Sequence, residues 1–412
     1  MSSRLSRAAR WAAWLAPVAA CAQVPTPLTL EQALARAVER SAAVQAAQAG
    51  VAGARESAQA AGRLPDPMLR VGVENLPATG SERWRPGIEG MTMKRVALSQ
   101  EWPGAARLAA QRAVAQARTD SEQANRAVAE AEVRWQTALA YVDAWFAGET
   151  VALAERHVVH ARLDAEVARA RLRAGDPADE AQAAESALGM AEDELAEARQ
   201  QQGLAQVALQ RWIGEGVSAL AAPRLPAPPE VAAFVARHPL RLQRERGLAV
   251  ARQEAAQARA DRRPGWTWEV AYGQRNGLSD LVSVGVTVPL PVAPSQRQDR
   301  EVAMRQARVQ QADQERLDAE RAAQAEHAAA SLEAERLAQR LQRWREAVVV
   351  PAERRTEVAL AAYRSAQAPW TAVAAARDAA LGAQRRGLAL QREHAKALAL
   401  LAFKPILEGA GQ

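Results

Sequence analysis

The sequence predicts a mainly α-helical fold with a small membrane β part, duplicated as helix, strand, strand and long helical hairpin. Three observations predict it. Aromatic residues are only 4% of the 412, while alanine, arginine, glutamate and glutamine recur throughout, the composition of long helices. Helical periodicity runs almost unbroken on both sides of Gly175-Asp176-Pro177. In four short stretches the period changes from 3.6 to 2, and the whole order recurs about 200 residues later.

The chain opens on a leader. Arg4, Arg7 and Arg10 form a basic region, followed by an apolar run over residues 11–20 that is too short for a permanent membrane helix. It closes on Val18-Ala19-Ala20-Cys21, which resembles a bacterial lipobox and makes Cys21 a candidate lipidation site at the end of a leader spanning 1–21. The competing reading is plain cleavage after Ala22, because Ala20-Cys21-Ala22 is also a small-x-small site. Either reading exports the chain. With one cysteine there is no intrachain disulfide. The formal charge of +6 includes the three leader arginines, and no acid precedes Glu31, so the mature chain carries about +3. That bias is too weak to argue for nucleic acid, and no nucleic-acid motif accompanies it.

The first unit covers 22–222. Residues 28–62 read as helix, with Thr29 as N-cap and Glu31 and Gln32 in the first turn. Leu64-Pro65-Asp66-Pro67 stops it. Leu69, Val71 and Val73 then alternate with polar residues or glycine in a strand over 68–76, and a second strand runs over 93–102. A long hairpin follows over 105–213. Its outgoing arm carries a seam at seven-residue spacing, Ala117, Ala124, Ala131, Ala138 and Trp145. The return arm repeats the device with Ala184, Ala191, Ala198, Ala205 and Trp212. Gly175 supplies the positive φ that ends a helix, and Pro177 suits the start of the next, which places the tip at 174–178.

Pro223, Pro226, Pro228 and Pro229 mark a linker into the second unit, 223–412. Helix is expected over 229–263, strands over 266–273 and 281–290, and a hairpin over 296–403 with a kink at Pro351. Its tip falls at 364–370.

The strands are of a length and alternation suited to a membrane barrel, apolar toward lipid and polar toward a lumen. A sheet in lipid must close, because open edges leave unpaired N–H and C=O groups. Four strands cannot close around a channel, so the expectation is a trimer with a twelve-stranded β-barrel continued by an α-helical barrel. In the competing reading the strands form a small soluble layer on a periplasmic coiled-coil adaptor or scaffold.

Certain stretches carry a family likeness. They are Leu30-Glu31-Gln32-Ala33-Leu34, Leu64-Pro65-Asp66-Pro67, Arg171-Leu172-Arg173-Ala174-Gly175, Trp212-Ile213-Gly214, Val286-Thr287-Val288-Pro289-Leu290 and Ala362-Tyr363-Arg364-Ser365. In this order the chain resembles the TolC-type outer-membrane efflux channels over essentially its whole mature length. The resemblance implies a passive homotrimeric conduit in outer-membrane lipid that extends into the periplasm. It implies docking of the helical tips onto a periplasmic adaptor protein, fed by an inner-membrane RND-type pump. Arg173, Gly175 and Asp176 at the first tip and Arg364 and Gln367 at the second become the candidate docking residues. A narrower likeness to the heavy-metal branch (copper/silver or cobalt-zinc-cadmium) lies in Val73-Glu74-Asn75-Leu76-Pro77-Ala78-Thr79-Gly80, Met91-Thr92-Met93-Lys94-Arg95-Val96 and Gln100-Glu101-Trp102-Pro103. The second tip departs from the family pattern, with Ala366-Gln367 in place of glycine, and Ala372 and Ala375 stand where some members carry acids.

Enzyme chemistry finds no foothold. There is no G-x-S-x-G, no phosphate-cradling G-x-x-x-x-G-K and no H-E-x-x-H, so a non-enzyme without cofactor is expected. His157 and His160 share a helix face but lack a third nearby ligand, and Met91 and Met93 read as packing before soft-metal contacts, so no metal site is assigned.

Overall fold

The computed structural model describes residues 27–175, 177–217 and 219–406. Cys21 and Asp176 lie outside the described residues. Helix α1 (Leu30–Arg40) starts on a capping box: Gln32 N–H donates to Thr29 Oγ1 at 3.3 Å and Thr29 N–H to Gln32 Oε1 at 3.0 Å. The single helix expected over 28–62 is broken at Ser41, which ends α1 and whose hydroxyl accepts from Val44 N–H to start α2 (Ala42–Ala60). A serine that can cap offers the backbone an alternative to continuing the helix.

Strands β1 (Met68–Glu74) and β2 (Met93–Trp102) follow, then α3 (Ala105–Arg173) and α4 (Ala178–Ile213). β1 ends two residues before the expected 76, because Asn75 takes φ +56° and turns the chain into its loop. At 69 residues, α3 is about 100 Å long. Ala117, Ala124, Ala131 and Ala138 are buried as the heptads place them, but only Ala138 meets the shorter return arm, at Leu209 and Ile213. Ala131 packs with Ile406 and Leu242 instead, and Ala191 and Ala198 of the return arm pack against Val158, Ala161, Val151 and Ala154.

The linker leads to α5 (Val231–Ala236) and α6 (Pro239–Ala260), so the helix expected over 229–263 is also two pieces. Pro239 forces the break, since it lacks an N–H and disfavours helical backbone at His238. β3 (Trp266–Arg275) runs two residues past the expected 273, because Arg275 still pairs with Met93. β4 (Leu281–Thr287) stops short of 290, ahead of Pro289. α7 (Gln298–Trp344), α8 (Val350–Arg364) and α9 (Trp370–Phe403) complete the second hairpin. Just ahead of Pro351, where a kink is expected, the helix takes a π turn over Arg345–Val349. Val350 N–H donates to the Arg345 carbonyl, one residue further back than in an α-helix, and this register shift absorbs the donor that Pro351 lacks.

The four strands form one antiparallel sheet in the order β1-β2-β3-β4. Below it α2, α3, α6 and α7 lie side by side. Further along, at the waist, both units meet. Leu28, Leu30 and Leu34 pack with Tyr141, Leu209, Ile213 and Phe403. Leu28 bridges Leu220 in parallel, and the fully buried Tyr141 hydroxyl shares its single proton between the carbonyls of Leu28 at 2.6 Å and Ala221 at 2.7 Å. Burial pushes that phenol up to about 12.

Candidate functional site

The sheet registers sort its residues onto two faces. On one, Leu69, Leu98, Val270 and Val284 form a rung across all four strands, and Val71, Val96, Tyr272 and Val282 form the next. Val71, Val282 and Val284 are each more than 70% exposed, so the chain alone leaves this apolar face bare. Toward the helices the same face ends in tryptophans: Trp102 and Trp266 stack with ring centroids 6.2 Å apart, and Trp268 pairs with Val286. β2 and β3, at 10 residues each, span about 33 Å, enough for an apolar band.

The other face is polar. Arg95 on β2 reaches Glu74 on β1 at 2.7 Å and Glu269 on β3 at 2.5 Å, a charge ladder over three strands. Ala97 and Ala271 lie beneath it, buried. This face runs on into the helices: Arg107 lies 3.8 Å from Glu101 of the sheet and 3.2 Å from Asp261 at the end of α6. Asp261 lines a groove of about 1250 Å³ to which α2, α3, α6 and α7 all contribute. The groove runs across all four helices on that side of their layer. Its wall mixes small apolar residues with charged ones, and the charges pair locally, Arg118 with Glu254 at 2.7 Å and Arg305 with Glu254 at 2.8 Å. The polar face of the sheet and the grooved side of the helix layer are thus continuous through Arg107. The outer strands β1 and β4 have no partner on their far sides within the chain.

At the opposite end the two hairpins lie together. Asp164 of α3 pairs with Arg377 of α9 at 2.9 Å, both side chains 13% exposed. Burial raises the Asp164 carboxyl above its ordinary value even beside that guanidinium. Arg377 also lies over the Trp370 ring, 5.1 Å from its centroid, and Trp370 meets Tyr363 edge-on at 4.8 Å. Further up, Arg385 pairs with Glu194 at 2.6 Å and Arg392 with Asp143 at 2.8 Å. Burial works to raise Glu194, but Arg385 and His157 outweigh it and hold the carboxyl below its usual range. The motif search missed this seam. Its signal was present: Arg377, Arg385 and Arg392 are spaced by eight and seven residues, which keeps them on one face of α9.

Of the candidate tip residues, Arg173, Gly175, Arg364 and Gln367 are exposed at the hairpin ends. Gly175 takes φ +106° with its N–H donating to the Leu172 carbonyl at 3.1 Å. The second tip makes its turn without glycine. Ala366 takes φ +57°, with Gln367 N–H on the Ala362 carbonyl at 2.8 Å and Ala366 N–H on the Tyr363 carbonyl at 3.0 Å, a Schellman motif. A cavity of about 360 Å³ lies between the tips, lined by Ala168, Arg171, Asp179, Glu180, Trp370 and Asp378.

His157 faces Glu194 at 2.9 Å and Asp378 at 3.5 Å rather than His160. Among the described residues no group of three or more potential ligands could hold a metal ion. Met91 is exposed in the loop, and the Met93 sulfur lies against Gly273. No helix among the described residues is long and apolar enough to cross a membrane.

No protein-family model matches the chain, and no curated protein matches it in sequence. Solved structures do match in fold. A membrane protein from Pseudomonas aeruginosa superposes with a TM-score of 0.76 at 17% identity, covering 91% of this chain and 90% of that one. The outer membrane protein VceC from Vibrio cholerae gives 0.74 at 18% identity, covering 91% and 96%. The CmeC outer membrane channel of Campylobacter jejuni gives 0.74 at 13% identity, covering 92% and 87%. At these identities the likeness establishes the fold: the chain has the β-barrel plus α-helical-barrel fold of outer membrane channels.

Proposed function

We propose that the chain is the outer-membrane channel of an efflux system, a passive conduit built from three copies. One observation carries the reading: a four-stranded sheet with a bare apolar face and two open edges continues, on its polar face, into a grooved helix layer. A bare apolar face needs lipid, and open edges in lipid need partners. Three copies supply twelve strands, with the polar faces turned inward as a continuous lumen. A conduit of this kind performs no chemistry, and the energy for transport comes from a partner pump.

The tips at Arg173–Asp176 and Arg364–Gln367 are then the periplasmic mouth, where a periplasmic adaptor protein joins the channel to an inner-membrane RND-type pump. Two exposed arginines, Arg173 and Arg364, point this contact toward acidic adaptor residues. The Val73–Gly80 and Met91–Val96 motifs favour heavy-metal ions as the exported substrate, and passage through a wide lumen requires no ligand set. Purified protein inserted into planar bilayers is expected to give stable pores; a monomer with no conductance rejects the channel. Deletion is expected to sensitise cells to a transition metal and leave tolerance of dyes and detergents unchanged; the reverse pattern rejects the metal assignment.

A further inference from the structure

Packing of the described chain begins at Leu28, and that point lies far from the sheet. α1 and α2 run back along α3 level by level. Gly62 abuts the Leu108 carbonyl, the Ala54 carbonyl accepts from Thr119 Oγ1 at 3.3 Å, Val44 packs with Val133, and Leu28 accepts from Tyr141. α3 leaves the sheet at Ala105, directly after Trp102. Tyr141 is about 36 residues further along that helix, which puts Leu28 about 54 Å below the sheet at 1.5 Å per residue.

Cys21 precedes Leu28 by seven residues, and seven residues fully extended reach about 25 Å at most. A diacylglyceryl group must seat its glyceryl at the membrane surface and its acyl chains in the hydrocarbon. The near surface of the membrane that holds the sheet lies at the Trp102–Trp266 level. The tether falls short of it by about 30 Å. Closing that gap means pulling Leu28 from its bridge to Leu220 and unwinding α1, whose Leu30 and Leu34 are core residues.

We propose that Cys21 carries no membrane anchor, and that the exported chain is released by hydrolysis of the Ala22–Gln23 peptide bond. Water adds across that bond, leaving the carboxyl on Ala22 of the leader and the free amine on Gln23. The small residues Ala20 and Ala22 form the site, and Cys21 leaves with the leader. The inference rests on reading the sheet as the membrane part of a channel.

The test is the intact mass and N-terminal peptide of the full protein purified from membranes. The expected chain begins at Gln23, or at its cyclised pyroglutamyl form, and Cys21→Ser gives a mature protein of identical mass. A mature chain that retains Cys21, lipidated or not, overturns the proposal. The same preparation in planar bilayers separates the two readings: pores with a lipidated Cys21 overturn this proposal alone, whereas a Gln23 start without pores overturns the channel and leaves the cleavage standing. Exchange of the leader for an authentic lipoprotein leader gives a second readout. The forced lipid is expected to lower the yield of trimer several-fold unless a spacer of about 20 residues precedes Pro27, which at 3.4 Å each covers the gap. Equal yields with and without the spacer overturn the reach argument.

Discussion

The two ends of this molecule are finished in opposite ways. At the hairpin end the chain satisfies itself: Arg377, Arg385 and Arg392 on α9 find Asp164, Glu194 and Asp143 on the first hairpin. At the sheet end it does not. Val71, Val282 and Val284 face outward uncovered, and β1 and β4 end the sheet with bare edges. The difference teaches where the missing surroundings belong. The hairpins complete each other, whereas the sheet leaves an apolar face and two edges that the proposed channel would cover with lipid and further copies.

The largest expected effect breaks the sheet end. Val284→Arg places a charge in the middle of the apolar face, at about 2–4 kcal/mol per copy near a bilayer midplane, and is expected to abolish membrane-inserted trimers on a non-denaturing gel. Ser283→Arg, one residue away on the polar face, is expected to keep the trimer and alter only conductance. Next comes the hairpin end. Arg377→Ala leaves Asp164 buried without its partner, a loss of about 3–5 kcal/mol for a buried pair, read as a lower melting temperature. Asp164→Ala with Arg377→Ala together is expected to recover part of it.

A smaller effect concerns acid. His238 donates to Glu326 at 3.0 Å and Lys404 approaches the same carboxylate, and together they hold it at about 2 against its ordinary 4.5. The folded state therefore binds this proton less readily than the unfolded state does. Its contribution is complete above about pH 4.5 and is lost as pH falls toward 2. Glu326→Gln is expected to flatten the acid limb of the stability curve in that window, as measured by denaturant unfolding at stepped pH. The smallest effects contrast the two tips. Gly175→Ala is expected to cost about 1 kcal/mol and Ala366→Gly to gain about as much, because both positions hold positive φ. Open space around Gly175 makes its cost one of backbone alone, and hydrogen exchange at each tip reads both changes.

Much of this was legible in the residues. The alanine heptad of α3 is buried where its spacing places it, and that of α4 is buried at Ala191 and Ala198 and half-buried at Ala184 and Ala205. The alternation in Val282, Val284 and Val286 matches one face of the sheet. Periodicity reports which face of an element is apolar, so it finds seams and faces. It does not report local competition between hydrogen bonds. That is why the Ser41 break and the π turn before Pro351 escaped it. Nor does it say which distant charge meets which: the arginines of α9 look like a solvated face until the first hairpin is laid beside them. Ala366 hides for another reason. Its positive φ is held by a Schellman motif and by the Tyr363–Trp370 contact, so the turn needs no glycine to announce it.

The central claim is that the bare edges of this sheet close on other copies of the chain. Cys21 is the sole native cysteine, so disulfide trapping on a Cys21→Ser background is unambiguous. With Val71→Cys on β1 and a scan of single cysteines along residues 281–287 of β4, mild oxidation in membranes is expected to yield a covalent ring of three copies at one register. Monomers at every register, or links that form only within one copy, would contradict it.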